Sequence, residues 1–214
     1  MESFSPLVLS IAATSFVTFQ CLFHFVSPWI SAQFFPGYHR LSPRHTIEWN
    51  SRTVSTLHAL IVGLFCLYIL LHDDAVNEDP VWGDPSLVKI NVAITCGYLL
   101  SDMLLICYYW RAIGDKFFVI HHLAALYAYY YVLSIGMLPY FANFRLVAEL
   151  STPCVNQRCN STTTRIPCAQ WVRPVPSRDH HNPPAAPAAG SAHQNRAYEF
   201  VECPMKAEDR EMCV

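Results

Sequence analysis

Four stretches of this chain, Leu7 to Ile30, Thr53 to Leu71, Ile90 to Trp110 and Phe117 to Ile135, leave few choices for its fold. At about 1.5 Å per residue, each reaches across most or all of a hydrocarbon core of roughly 30 Å. Asp102 is the sole aspartate, glutamate, lysine or arginine inside any of them. Hydrocarbon offers no water to satisfy backbone N–H and C=O groups, so such runs are predicted to cross the membrane as helices. A tight break at Gly136 to Pro139 then leads into a fifth, less apolar segment, Tyr140 to Val155, which carries Arg145 and Glu149. The expected fold class is all-α: a multi-pass transmembrane helical bundle of about five spans. Composition agrees, with 53% hydrophobic and 14% charged residues against roughly 25% charged in soluble domains.

The same composition excludes several functions. A net charge of -2 and only three lysines, Lys89, Lys116 and Lys206, provide no basic patch, so no nucleic-acid partner is expected. Cys21, Cys66, Cys96 and Cys107 lie in the apolar runs, where a free cysteine is a small hydrophobe. Cys154, Cys159, Cys168, Cys203 and Cys213 form no CxxC pair, so neither a metal nor a cofactor is expected. Glu2 stands where a secretory signal carries basic residues, and the first run is longer than a signal's apolar core. It reads as a retained span within an N-terminal unit, 1–39. After Arg158 the chain turns polar and repetitive, with Pro183-Pro184 and an alanine-rich run from Ala185 to Gly190. Residues 159–214 cannot bury enough apolar surface to offset ordering and are expected to form a disordered tail.

Loop charges set an expected orientation. Arg40, Arg44 and Arg52 mark the first connection and Arg111 and Lys116 the third, whereas the second holds Asp73, Asp74, Glu78, Asp79 and Asp84. The positive-inside rule then puts the N-terminus in the lumen and the first loop in the cytosol. Counted from the cytosolic ends, His58, Asp102, His121, His122 and Glu149 all fall roughly 5 to 12 Å inside that boundary. Ionisable groups at such depth mark a site or a structural pairing.

His121 and His122 project about 100° apart on their helix, so they cannot face one cavity. One is expected to face a site and the other a neighbouring helix or a backbone carbonyl. His121 shares its face with Ala124, Ala125 and Ala128; His122 shares its own with Phe118, Leu126 and Tyr129. Two readings of the layer stand. In one, Asp102 with a histidine and Arg145 with Glu149 tie helices together. In the other, a polar pocket opens to the cytosol, and His121 or His122 acts as base or binds a lipid headgroup. There Asp102 or Glu149 would orient the imidazole, and His58 and Arg145 would hold the ligand.

Three separated motifs carry a resemblance. Trp49-Asn50-Ser51-Arg52-Thr53-Val54-Ser55-Thr56-Leu57-His58-Ala59, then Gly114-Asp115-Lys116-Phe117-Phe118-Val119-Ile120-His121-His122, then Asn143-Phe144-Arg145-Leu146-Val147-Ala148-Glu149-Leu150-Ser151 resemble, in order, the TLC domain of TRAM, Lag1 and CLN8 proteins. The resemblance makes residues 40–158 a partial TLC domain. It implies a multi-span protein of the endoplasmic reticulum connected with lipid homeostasis, with membrane lipids as partners. In the ceramide synthases of this family, paired histidines matching His121 and His122 serve transfer of an acyl group from acyl-CoA, which would then be a co-substrate here. Those enzymes carry closely spaced aspartates in the next segment, where this chain reads Ala148-Glu149-Leu150-Ser151-Thr152-Pro153. Family members also continue beyond the Asn156-Gln157-Arg158 motif with further apolar helices. The resemblance therefore implies a C-terminally shortened, inactive form.

Overall fold

The computed structural model describes residues 5–83 and 85–165, the side chains of Ala75 and of residues 161–165 excepted. All regular structure among the described residues is helical. Helix α1 (Pro6–Cys21) passes through a widened π-turn, Leu22–Val26, into α2 (Ser27–Phe34). A proline such as Pro28 can end or kink a helical span. Instead the helix continues, because the wider turn lies where the proline lacks its N–H and its ring crowds the preceding carbonyls.

Helix α3 runs from Pro43 to His72, starting ten residues before the apolar run that announces it. Ser42 caps it, accepting from the His45 N–H at 3.4 Å, and Pro43 occupies the first turn, where a missing N–H costs nothing. Arg44 and Arg52, assigned to a loop by their charge, are therefore helical. Each pairs with Glu48 at i,i+4 spacing, at 3.3 and 3.8 Å. At about 45 Å, α3 exceeds the hydrocarbon core, so its charged first turns lie outside it or the helix tilts.

A short acidic helix α4 (Asp74–Glu78) precedes α5 (Ser86–Tyr108). After α6 (Trp110–Ile113), Asp115 caps α7 (Lys116–Ile135), accepting from the Phe117 N–H at 2.7 Å. Among the described residues, four helical stretches are long and apolar enough to cross a membrane: Pro6–Phe34, Pro43–His72, Ser86–Tyr108 and Lys116–Ile135. The fifth segment is built in pieces, α8 (Pro139–Val147), a 3-10 turn at Ala148–Ser151 and α9 (Thr152–Arg165). Helix α9 carries regular structure past Arg158, where the composition changes. The remainder of the expected disordered tail lies outside the described residues.

Lipid tails are as apolar as leucine, so helices in a membrane associate through close packing and polar links rather than apolar burial. The α1–α5 crossing follows that rule. Gly97 sits so near α1 that a Cβ would meet the Ala12 carbonyl oxygen and the Ser15 side chain. The Ser15 hydroxyl donates to the Ile94 carbonyl at 2.8 Å, and the Gln20 amide to the Ser101 carbonyl at 3.1 Å. Gly63 of α3 likewise lies against the Leu150 side chain. Two fully buried asparagines bind α3 from opposite partners: Asn91 of α5 donates to the Val62 carbonyl and Asn143 of α8 to the Cys66 carbonyl.

The break between α7 and α8 needs left-handed backbone. Gly136 has φ +75°, and its N–H closes α7 on the Val132 carbonyl. Leu138 has φ +60°, held by its N–H donating to the Val81 carbonyl at 2.9 Å and by Pro139 beginning α8. Gly136→Ala should cost about 1–2 kcal/mol, because the αL region penalises a Cβ and this one would stand 3.2 Å from Pro85. Thermal unfolding in detergent micelles checks it. A Gly136→Ala protein as stable as the parent would show that the turn tolerates a side chain.

Candidate functional site

The site grows from one contact between two spans. His122 of α7 and Asp102 of α5 meet at 2.9 Å, Nε2 to Oδ2. Both side chains are largely buried, 8% and 13% exposed. The other ring nitrogen, Nδ1, lies 2.8 Å from the Phe118 carbonyl one turn back on α7. A carbonyl only accepts, so Nδ1 carries a hydrogen. Along the Nε2–Oδ2 link one further hydrogen is shared, on the ring or on the carboxyl. Either way the pair is neutral as a unit, which suits a low-dielectric interior. Either way too, His122 has no spare lone pair directed at a substrate.

His121 occupies a different environment. It lies on the exposed side of α7, with Phe117, Ile120, Ala124, Tyr127 and Ala128, away from the face that buries His122, Tyr129 and Leu133. The helical geometry thus separates the two histidines as the 100° step requires. The neighbouring-helix contact and the backbone-carbonyl contact both fall to His122. On the small-residue face of His121, Ala124 and Ala128 are exposed, while Ala125 is half-buried against the core.

His58 of α3 is almost wholly buried, at 2% exposed. Its ring stacks on Tyr98 of α5 at 3.8 Å between centroids and 13° between planes, and Phe19 of α1 meets it edge-on at 5.7 Å. The His58 Nε2 has no hydrogen-bond partner among the described residues, an uncommon state for a buried nitrogen. Arg145 and Glu149 pair at 3.9 Å across one turn, and Thr152 donates to Glu149 at 3.4 Å. Glu149 bears electrostatically on both histidines of α7 and on Tyr98, and Arg145 on His121.

Two groups escaped the sequence reading. Tyr98 reads as an ordinary core residue, yet it precedes Asp102 by one turn, a spacing that sets both on one face of α5. Asn156 reads only as part of a motif. Its amide donates to the Arg52 carbonyl and to the Thr56 hydroxyl, both at 3.1 Å, and so fastens α9 to α3. No cluster of three or more histidine, cysteine, aspartate or glutamate side chains suited to a metal occurs among the described residues.

The model of the TLC domain (TRAM, LAG1, CLN8) matches residues 48–163, more than half of the chain. The chain belongs to the TLC domain family. It is a membrane protein, and TLC proteins are linked to lipid metabolism. It is similar to TLC domain-containing protein 4-B of Xenopus laevis, 68% identical over 158 residues, 74% of this chain and 60% of that protein. TLC domain-containing protein 4-B of Danio rerio is 68% identical over 148 residues, 69% of this chain and 56% of that protein. TLC domain-containing protein 4 of Homo sapiens is 58% identical over 158 residues, with 74% and 60% covered. The TLC chain described here thus spans about 60% of the length of these curated relatives. No solved structure matches it. The matched residues 48–163 take in His58, Asp102, His121, His122, Arg145 and Glu149, so the whole candidate site lies inside the TLC domain.

Proposed function

We propose that this TLC protein resides in the endoplasmic reticulum membrane with its N-terminus in the lumen. There it acts in lipid homeostasis by binding lipid or regulating membrane lipid composition. The observation that carries this reading is the saturation of His122, whose two nitrogens are committed to Asp102 and to the Phe118 carbonyl. A base needs a lone pair facing its substrate, and the other histidine of the pair lies on the exposed face of α7. In cells lacking the protein, a His121→Ala variant should restore membrane lipid composition as well as the parent at matched expression. If it restored none, a role without chemistry at this position would be untenable.

A second reading is an acyl-CoA-dependent acyltransferase of ceramide-synthase type. It draws on the carboxylate-held imidazole, which could act as base once the Asp102 link opened to receive the proton of a lipid amine or hydroxyl. Steady turnover of acyl-CoA with a long-chain base or lysolipid by purified protein, abolished by Asp102→Asn, would favour it over the first.

Orientation has its own test. Asn160-Ser161-Thr162 is the sole N-glycosylation sequon of the chain. With the arginine-bearing connections in the cytosol and the fifth segment crossing, Asn160 should remain unmodified. A glycosidase-sensitive shift in gel mobility would place this end of α9 in the lumen and make the fifth segment re-entrant.

A further inference from the structure

A cavity lies apart from the dyad, at the end of the bundle that carries the arginines. Its volume is about 360 Å³. The turn after α2 (Phe35, Pro36), the first half of α3 (Trp49, Thr53) and α9 (Pro153, Gln157) supply most of its wall. Phe35 and Trp49 meet edge-on at 5.3 Å, and with the prolines they make the apolar part of the lining. Thr53, Thr56, Gln157 and Asn160 supply hydroxyl and amide groups. Among the described residues no charged side chain lines it, although Arg44, Glu48 and Arg52 lie on the same turns of α3.

The hydrogen-bond inventory narrows what fits. The Thr53 hydroxyl spends its hydrogen on the Trp49 carbonyl, at 2.9 Å, and so presents lone pairs to the cavity. The Gln157 amide adds a donor and an acceptor. A matching ligand therefore offers at least one hydroxyl to donate and one carbonyl to accept. An uncharged ligand matches this lining, since no charged group among the described residues faces it as a partner. The aromatic wall stands where tryptophans and tyrosines gather at membrane boundaries. A volume at the low end for ligand pockets admits a headgroup and the first carbons of its chains, which must leave into the bilayer.

We infer that this cavity binds the uncharged headgroup of a lipid bearing a free hydroxyl and ester carbonyls, of the diacylglycerol type. The inference goes beyond the proposed function by naming a lipid class and a place for it, and it does not use the histidines.

The test uses the full chain in phosphatidylcholine vesicles with a diacylglycerol probe bearing a diazirine near its ester groups. After irradiation, labelled residues are mapped by mass spectrometry. Label should fall on the peptides carrying Phe35–Trp49 and Pro153–Gln157. Excess diacylglycerol should remove it, and equal phosphatidic acid, the same glycerol with a phosphate, should not. Thr53→Leu, which fills the cavity, and Gln157→Leu, at an exposed position, should each cut labelling there at least five-fold. Asp102→Asn should leave it unchanged, which separates this site from the dyad. Labelling that both leucine variants retain, or that phosphatidic acid competes equally, overturns the inference.

Discussion

Asp102→Leu should destabilise the bundle by about 3–5 kcal/mol, because it leaves the His122 Nε2 buried either as a lone pair with no donor or as part of a charge with no counter-charge. His122→Leu should cost a similar amount from the other side. The double variant should recover most of the loss, since an apolar pair of similar volume needs no partner and is often neutral or better. The magnitude separates two kinds of link. Ordinary interhelical hydrogen bonds in membranes average about 0.6 kcal/mol and reach about 1.7. A double-mutant cycle on unfolding in detergent that gave a coupling of that ordinary size would reduce the dyad to one polar contact among several.

Gly97→Val comes next in size. Its Cβ would meet the Ala12 carbonyl oxygen and stand 2.6 Å from the Ser15 Cβ, and the two further methyls have nowhere to go. Overpacking a close crossing costs about 1–3 kcal/mol. The upper end is expected here, since separating the helices also breaks the Ser15 bond to the Ile94 carbonyl. The expected result is a lower melting temperature and a polydisperse profile on size exclusion in detergent. Leu100→Val, at an exposed position of the same helix, should change neither. If Gly97→Val eluted and melted like the parent, the α1–α5 approach would be looser than described.

What the sequence made legible, and what it hid, follows from the kind of signal each element carries. Apolar runs with Asp102 as their single charge gave the four spans, because hydrocarbon imposes a length and forbids most charges. The Gly136 to Pro139 break was equally plain, since left-handed backbone and a proline leave few alternatives. The start of α3 was hidden because Arg44, Glu48 and Arg52 look like loop residues until their four-residue spacing is noticed. The π-turn was invisible, because an apolar run reads the same whether its turns hold 3.6 residues or more.

The site divides in the same way. That His121 and His122 point apart follows from helical geometry alone. Which of them turns inward depends on where α5 lies, and adjacent positions cannot tell that. Tyr98 beneath His58, and the Asn91 and Asn143 bonds to α3, depend on how three helices rotate against one another. Their residue types are too common in apolar spans to stand out.

The π-turn at Leu22–Val26 also works as a phase shifter. It holds one residue more than a regular turn would, so everything after it is rotated by about 100°. In that rotated setting Ser27 donates to the Asn50 amide oxygen at 3.0 Å, and Ser31 receives the Trp49 indole N–H at 2.9 Å. Removing a single residue between 22 and 26 would straighten the rod and swing both serines off α3 into lipid. The extra residue is therefore what lets one unbroken N-terminal rod address α5 with its first half and α3 with its second.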